Sequence, residues 1–177
     1  MRSIKRLFIP LSLLFISLLA GCGSSETNAS SKNTLGQDSP SIRLIASEKT
    51  LPDDFYQTAV QGVLAKKATS QEVFEQMWAE YGLRQTPPEI NWQHDAVIFL
   101  GVVESGSCPY DVQSVHFEDD KTLLVLLHTE PDKPCTDDAT PRTFVIAVDA
   151  QQAAKAERVV IENFGGLSPM VPLQTEE

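Results

Sequence analysis

The segment VHFEDDKTLLVLL, residues 115–127, constrains the fold of this chain more than any other stretch. Two apolar runs meet at Asp119 and Asp120, and aspartate favours the turn between two strands. The pattern therefore predicts a β-hairpin with strands at residues 112–118 and 122–128.

Two of the three cysteines lie just outside the open end of this hairpin. Cys108 and Cys135 are almost opposite one another there, so a small loop adjustment can bring their Cα atoms within bridging distance. We predict a disulfide between them, which requires an oxidising compartment. In the loop-entropy description such a bridge stabilises the fold by roughly 3–4 kcal/mol. The alternative is that Cys108, in the segment SGSCPY, is a catalytic thiolate with a nearby base.

The N-terminus indicates that the chain is exported. Three basic residues among the first six precede an apolar stretch from Leu7 to Leu19, and small residues follow it. This is the order of a secretory signal. As a helix the stretch would span roughly 20 Å, less than the ~30 Å hydrocarbon thickness of a bilayer. We therefore expect residues 1–21 to be a removable signal peptide.

The end of that signal carries a specific pattern. Leu19, Ala20, Gly21 and Cys22 resemble the lipobox of bacterial lipoproteins, although they could also be the chance end of an ordinary signal. The resemblance implies that the Cys22 thiol receives a diacylglyceryl group, that Cys22 becomes the first mature residue, and that acyl chains such as palmitate anchor it. Two acyl chains are enough for stable anchoring. The implied location is the cell membrane or outer envelope, facing outside the cytoplasm.

The charge of the mature chain excludes some partners. Cleavage removes three of the 14 Lys and Arg residues and none of the 24 Asp and Glu residues, so the net charge changes from −10 to −13. Nucleic acid and anionic headgroups repel such a chain. We expect no nucleic-acid partner and attachment to the membrane through the lipid anchor.

The mature sequence divides into two parts. Residues 22–41 contain one leucine and no aromatic or β-branched aliphatic residue, which predicts a flexible tether about 25 Å in average extent. Residues 42–177 are long enough for a single globular domain with one core.

The domain is predicted to be α+β, a mostly antiparallel β-sheet or sandwich with one main amphipathic helix. The helix is TSQEVFEQMWAEYG, where Thr69 and Glu72 have the spacing of a capping box and Gly82 ends the apolar face. Besides the hairpin, the strand candidates are 96–103, 143–148 and 158–162, with weaker candidates in SIRLIAS and QTAVQGVLAK.

No set of residues forms a known catalytic or metal-binding motif. His116 and His128 are out of register on the hairpin, and His94 lies in a separate segment. The acidic clusters 118–120 and 137–138 lie at opposite ends of the hairpin, so they cannot share one calcium ion. We predict no catalytic residue, metal or cofactor.

A second resemblance covers roughly residues 57–150. The ordered segments QEVFEQMW, PPEINW, DAVIFLGVVESGSCPYDVQSV, TLLVLL and PRTFVIAVD resemble the C-terminal domain of the protease-complex subunit PrcB and of related exported proteins. In that family a helix precedes an apolar strand, a glycine-containing turn, a hairpin and a strand opened by proline. The implied role is non-enzymatic support or binding. The family's turn usually has a glycine pair followed by tyrosine, whereas residues 105–110 read SGSCPY.

Together these patterns predict a lipoprotein that binds an extracytoplasmic protein partner as an accessory module, for example in an envelope protein complex. The candidate binding rim is the pair of loops beside the predicted disulfide, with the residues Ser105, Ser107, Tyr110, Asp132, Asp137 and Asp138. Equally, the bridge could only stabilise two surface loops. The alternative function is an exported hydrolase whose Ser/His/Asp or Cys/His site is assembled by the fold.

The lipobox gives a direct prediction. Cys22→Ala is expected to leave the chain unlipidated and uncleaved at residue 22, because the thiol that accepts the lipid is gone. Mass spectrometry of the N-terminus measures both effects. A wild-type mature chain that starts anywhere other than an acylated Cys22 would contradict the lipoprotein interpretation.

Overall fold

The computed structural model describes residues 42–130 and 134–176, so the signal peptide, Cys22 and the tether lie outside the described residues. The strands are β1 (Arg43–Glu48), β2 (Val63–Ala68), β3 (Asp95–Glu104), β4 (Asp111–Asp119), β5 (Thr122–His128), β6 (Thr140–Asp149), β7 (Arg158–Glu162) and β8 (Met170–Thr175). The helices are α1 (Phe55–Thr58), α2 (Gln71–Glu80) and α3 (Ala150–Lys155). None of these helices is long and apolar enough to cross a membrane.

The strands form one sheet in the order β1-β6-β3-β2-β8-β7-β5-β4. Neighbouring strands are antiparallel except in the parallel pairs β2–β8 and β5–β7. The sheet curls until it is nearly closed and barrel-like. Successive side chains of a strand point to opposite faces, so alternate residues fill the inside of the curled sheet.

The inside of the sheet holds one apolar cluster, which we call the interior core. Along β3 its members are every second residue: Ala96, Ile98, Leu100 and Val102. Every strand from β2 to β8 contributes to the same cluster. Because each fully buried aliphatic side chain stabilises the fold by roughly 1.5–3 kcal/mol, this shared burial drives the curling of the sheet.

A second cluster, the outer core, lies between the helices and the outside of β2, β3 and β6. Phe74 and Trp78 of α2 pack against Phe99 of β3, with ring centroids 5.9 Å and 6.4 Å from the Phe99 ring. The predicted apolar face of the helix is therefore in the core. The helix begins one residue later than predicted, because the hydroxyl of Ser70 rather than that of Thr69 accepts the hydrogen bond of a first-turn amide.

The predicted fold class is wrong. Strands make up 47% of the described residues and helices only 15%, so the domain is a mostly β, barrel-like sheet rather than an α+β fold with one main helix. One reason is that β8 is missing from the predicted strands. It contains Pro172, and proline argues against a paired strand. Pro172 is tolerated because the parallel pairing of β8 with β2 starts only at Leu173. The segment QTAVQGVLAK also differs, since its first half is the end of α1 and a turn.

The predicted hairpin is confirmed. Its strands are β4 and β5, and Val115 pairs with Val125. At the open end Asp111 pairs with His128, three residues after Cys108 and seven before Cys135. The other three strand candidates, at 96–103, 143–148 and 158–162, correspond to β3, β6 and β7.

The two ends of the sheet differ in their connections. At one end, which we call the loop end, lie the four connections 49–62, 105–110, 129–139 and 163–169. The opposite end holds the start of β1, the 119–121 turn and α3. We call it the entry end, because the described chain enters the sheet there at Ile42. The ten residues of β3 run from one end to the other, a distance of roughly 30 Å.

Candidate functional site

A disulfide joins two connections of the loop end. Cys108 and Cys135 are bonded, with their Cα atoms 5.5 Å apart, which confirms the predicted pair. The hairpin register explains the bond, because the pairing of Asp111 with His128 fixes where both loops leave the sheet. A sulfur atom in a disulfide is not a free thiolate, so the alternative of Cys108 as a catalytic thiolate is wrong for this bonded form.

The carboxylate of Asp138 ties the same two connections together a second time. It accepts hydrogen bonds from the Gly106 N–H at 2.9 Å, from the Thr140 hydroxyl at 3.1 Å and from the Thr136 hydroxyl. The Thr136 bond and then the Gly106 bond are the main reasons why the pKa of Asp138 is lowered. A Cβ atom at position 106 would lie 2.5 Å from the Asp138 carboxylate, so this close approach requires glycine.

The two serines of the predicted rim belong to this network. The Ser107 hydroxyl accepts a hydrogen bond from the Thr136 N–H at 2.8 Å. Both serine hydroxyls lie 3.1 Å from the Thr136 hydroxyl. Within the described residues, neither serine forms a hydrogen bond with a histidine. Their polar atoms hold the two connections in contact, a role that the sequence did not reveal.

A buried ion pair supports the loop end from below. The Glu104 side chain is fully buried, and one of its oxygens accepts bonds from Arg142 at 2.7 Å and 3.0 Å. The other oxygen accepts the Tyr110 N–H at 2.8 Å. Arg142 also donates to the Ser47 hydroxyl at 3.1 Å. Because removing one partner of a buried pair typically costs about 3–5 kcal/mol, this contact fixes the ends of β1 and β3 and the start of β6 relative to one another.

Tyr110 connects a further loop. Its hydroxyl oxygen accepts a hydrogen bond from the Gly165 N–H at 2.9 Å, and its ring centroid lies 5.7 Å from that of Phe164. Burial raises the pKa of Tyr110; the Gly165 bond opposes that shift and the Glu104 charge adds to it. Connection 163–169 is therefore held against connection 105–110.

The structure brings most of the predicted rim together. Ser105, Ser107 and Tyr110 are partly exposed at the loop end, where Asp137 and Asp138 are exposed. Asp132 lies outside the described residues. The sequence analysis missed Gly106, Thr136, Glu104, Arg142 and Gly165. The sequence held one signal for the ion pair: the opposite charges of Glu104 and Arg142 directly flank two predicted strands, 96–103 and 143–148.

Two hollows flank the disulfide. One, of about 300 Å³, is lined by Ser105, Tyr110, Asn163 and the two glycines 165 and 166. The other, of about 200 Å³, is lined by Ser107, Pro109, Asp111, His128 and Glu130. Both open to the surface beside the tied loops.

The histidines and the acidic clusters lie apart. His116 faces Leu124 on the hairpin, His128 faces Asp111 at the loop end, and His94 lies at the entry end beside Ala150. The 119–120 turn is at the entry end and Asp137 at the loop end, so the two acidic clusters cannot share an ion. Residues 42–130 and 134–176 contain no group of three or more His, Cys, Asp or Glu side chains placed to hold a metal ion.

Comparison of the chain with protein-family models, with curated proteins and with solved structures gave no match.

The disulfide gives a stability prediction. Cys108→Ser and Cys135→Ser are expected to lower the free energy of unfolding by a similar amount, roughly 3–4 kcal/mol, because each opens the same loop between residues 27 apart in sequence. Urea unfolding of both variants, with reduced wild type as the control, measures the loss. Clearly unequal losses would show that one cysteine has a role besides the bridge.

The Asp138 network gives a prediction for acid. Because the folded pKa is lowered, the carboxylate stabilises the fold above its ordinary value of 3.8, and this contribution is lost as the pH falls from there through the folded pKa. Asp138→Asn should therefore be less stable than wild type at neutral pH, and the difference should shrink in acid. Denaturation midpoints across this range test it. The matched control is Asp137→Asn, and an equal pH-dependent effect in that variant would refute the assignment to Asp138.

Proposed function

We propose that this chain is a lipid-anchored, extracytoplasmic lipoprotein that uses its loop end to bind a protein partner, as a non-enzymatic accessory module of an envelope complex. One observation carries the proposal. The described chain enters the sheet at Ile42, and the tied loops lie at the opposite end, roughly 30 Å away along β3.

That arrangement suits an anchored binding module. The lipobox predicts attachment at Cys22, and the chain that follows Cys22 reaches the fold at the entry end. Attachment on that side of the sheet would leave the loop end available to a partner. A tether with an average extent of about 25 Å allows this end to search for a partner in the envelope.

The loop end also has the rigidity that a binding surface needs. Connections 105–110, 129–139 and 163–169 are joined by the disulfide, by Asp138 and by Tyr110. A surface whose loops are already ordered loses less conformational entropy when a partner binds, so more of the contact energy becomes affinity.

The resemblance to the PrcB C-terminal-like domain supports the same class of function. Its implied order of helix, apolar strand, hairpin and proline-opened strand has counterparts in α2, β3, the β4–β5 hairpin and β6, where Pro141 is the second residue. The role implied by that family is support or binding.

Site-specific photo-crosslinking in cells that make the full-length protein tests the proposal. A photoreactive residue replaces Asp137 at the loop end or, as the matched control, Asp120 in the turn at the entry end; both positions are exposed aspartates. We expect a protein adduct of discrete mass from position 137 and none from position 120. Adducts from position 120 alone, or from neither position, would overturn the proposal.

A further inference from the structure

The apolar residues exposed on this protein are concentrated at one end. In the part of the chain that the structure describes, four large apolar side chains are exposed: Tyr56 at 75%, Leu167 at 67%, Met170 at 54% and Val60 at 39%. Three lie in connections 49–62 and 163–169, and Met170 is the first residue of β8. All four are therefore at the loop end.

These side chains lie on neighbouring turns and strand ends of the loop end, and we call them together the apolar strip. The turn that contains Val60 contacts the turn that ends at Leu167, since a Cβ atom at Gly62 would lie 3.7 Å from the Phe164 ring. Parallel pairing of β8 with β2 places Met170 beside the same turn. Tyr56, four residues before Val60, packs edge-on against Phe55 with ring centroids 5.2 Å apart.

The charges at the same end are unbalanced. Among the described residues of the four loop-end connections, five are acidic and one is a lysine. The connections at the entry end, 69–94, 119–121 and 150–157, are also acidic, with seven acidic and three basic residues, and some of these charges form ion pairs: Lys121–Glu157, Lys155–Asp120 and Arg158–Asp119. Both ends are therefore negatively charged, but among the described residues only the loop end has exposed large apolar side chains beside its acidic residues.

We infer that the apolar strip and the acidic connections beside it bind a polypeptide segment in which lysines or arginines flank an apolar or aromatic side chain. This inference rests on the proposed function and names the chemistry of its partner. The apolar side chain of the segment gains from burial against Tyr56, Leu167 and Met170. The flanking cations gain from the negative potential of the loops, which also speeds association.

The same features argue against other occupants. An anionic lipid surface or a nucleic acid would be repelled by the excess of carboxylates. A cationic, apolar polypeptide satisfies both the apolar strip and the charge.

Binding of defined peptides to the full-length lipoprotein, held in nanodiscs of neutral lipid, tests the inference. The probe is a fluorescent peptide with a central tryptophan, leucines beside it and lysines on both sides; matched peptides replace every lysine by glutamate, or every apolar residue by serine. Fluorescence anisotropy at low and high salt measures the affinities. Only the first peptide should bind, and it should bind more weakly in high salt.

Two variants locate the site. The combined change Tyr56→Ser, Leu167→Ser should weaken binding by about tenfold or more, since two apolar anchors are lost. Asp53→Asn with Asp137→Asn should weaken it several-fold, whereas the matched entry-end change Glu118→Gln with Asp120→Asn should not. Circular dichroism verifies that each variant is folded.

Several results would overturn the inference: no binding of the lysine peptide, equal binding of the glutamate peptide, or equal losses in the loop-end and entry-end variants. Binding of anionic vesicles through the apolar strip would also overturn it. If crosslinks from position 137 persist while the lysine peptide fails to bind, the chemistry of the partner is refuted and the proposed function stands. If position 137 gives no adduct, the proposed function itself fails.

Discussion

The pairing of β3 with β6 is the constraint on which the rest of the structure depends. These strands run antiparallel over ten residue pairs, from Asp95 with Asp149 to Glu104 with Thr140. Both faces of each strand are apolar, so one face belongs to the interior core and the other to the outer core. The length of the pair sets the distance between the two ends of the sheet, and its two ends become the entry end and the loop end.

The chemistry at the two ends of this pair differs in a way that matters for function. At the entry end the Asp95 side chain is buried, but its partner Arg43 is half-exposed, so solvent reaches this ion pair. At the loop end the Glu104–Arg142 pair is more deeply buried, and each partner depends on the other for compensation of its charge. The more deeply buried ion pair therefore lies under the connections that would meet a partner in the proposed function.

Features set by local pattern could be predicted from the sequence. The hairpin register followed from two apolar runs and an Asp-Asp turn, and the disulfide followed from the register because both cysteines flank the same open end. The fold class failed because it depends on pairings between distant segments. Leu123 pairs with Val159 and Ala65 with Leu173, and no local periodicity indicates which distant strand will be the neighbour.

The candidate site shows the same division. The sequence placed Ser105, Ser107 and Asp138 in one rim, since they flank the predicted bridge. The sequence-based prediction gave these residues contacts with a partner, whereas their polar atoms form hydrogen bonds between connections 105–110 and 129–139. Hydrogen bonds of this kind depend on distances of a few ångströms between connections, and these distances exist only after the sheet has curled. The same holds for the contact of Tyr110 with Gly165.

This difference changes which side chains of the loop end are available for binding. A hydroxyl or carboxylate that already bonds within the loops would have to give up that bond to contact a partner, so its net gain is small. Leu167 and Met170 give up no such bond, because their exposed side chains are apolar, and the exposed ring of Tyr56 adds further apolar area. Polar residues around the disulfide thus shape and hold the surface, while the neighbouring apolar strip supplies the area that gains free energy when it is covered. If the proposed function holds, the binding surface is therefore centred beside the bridged loops rather than on them.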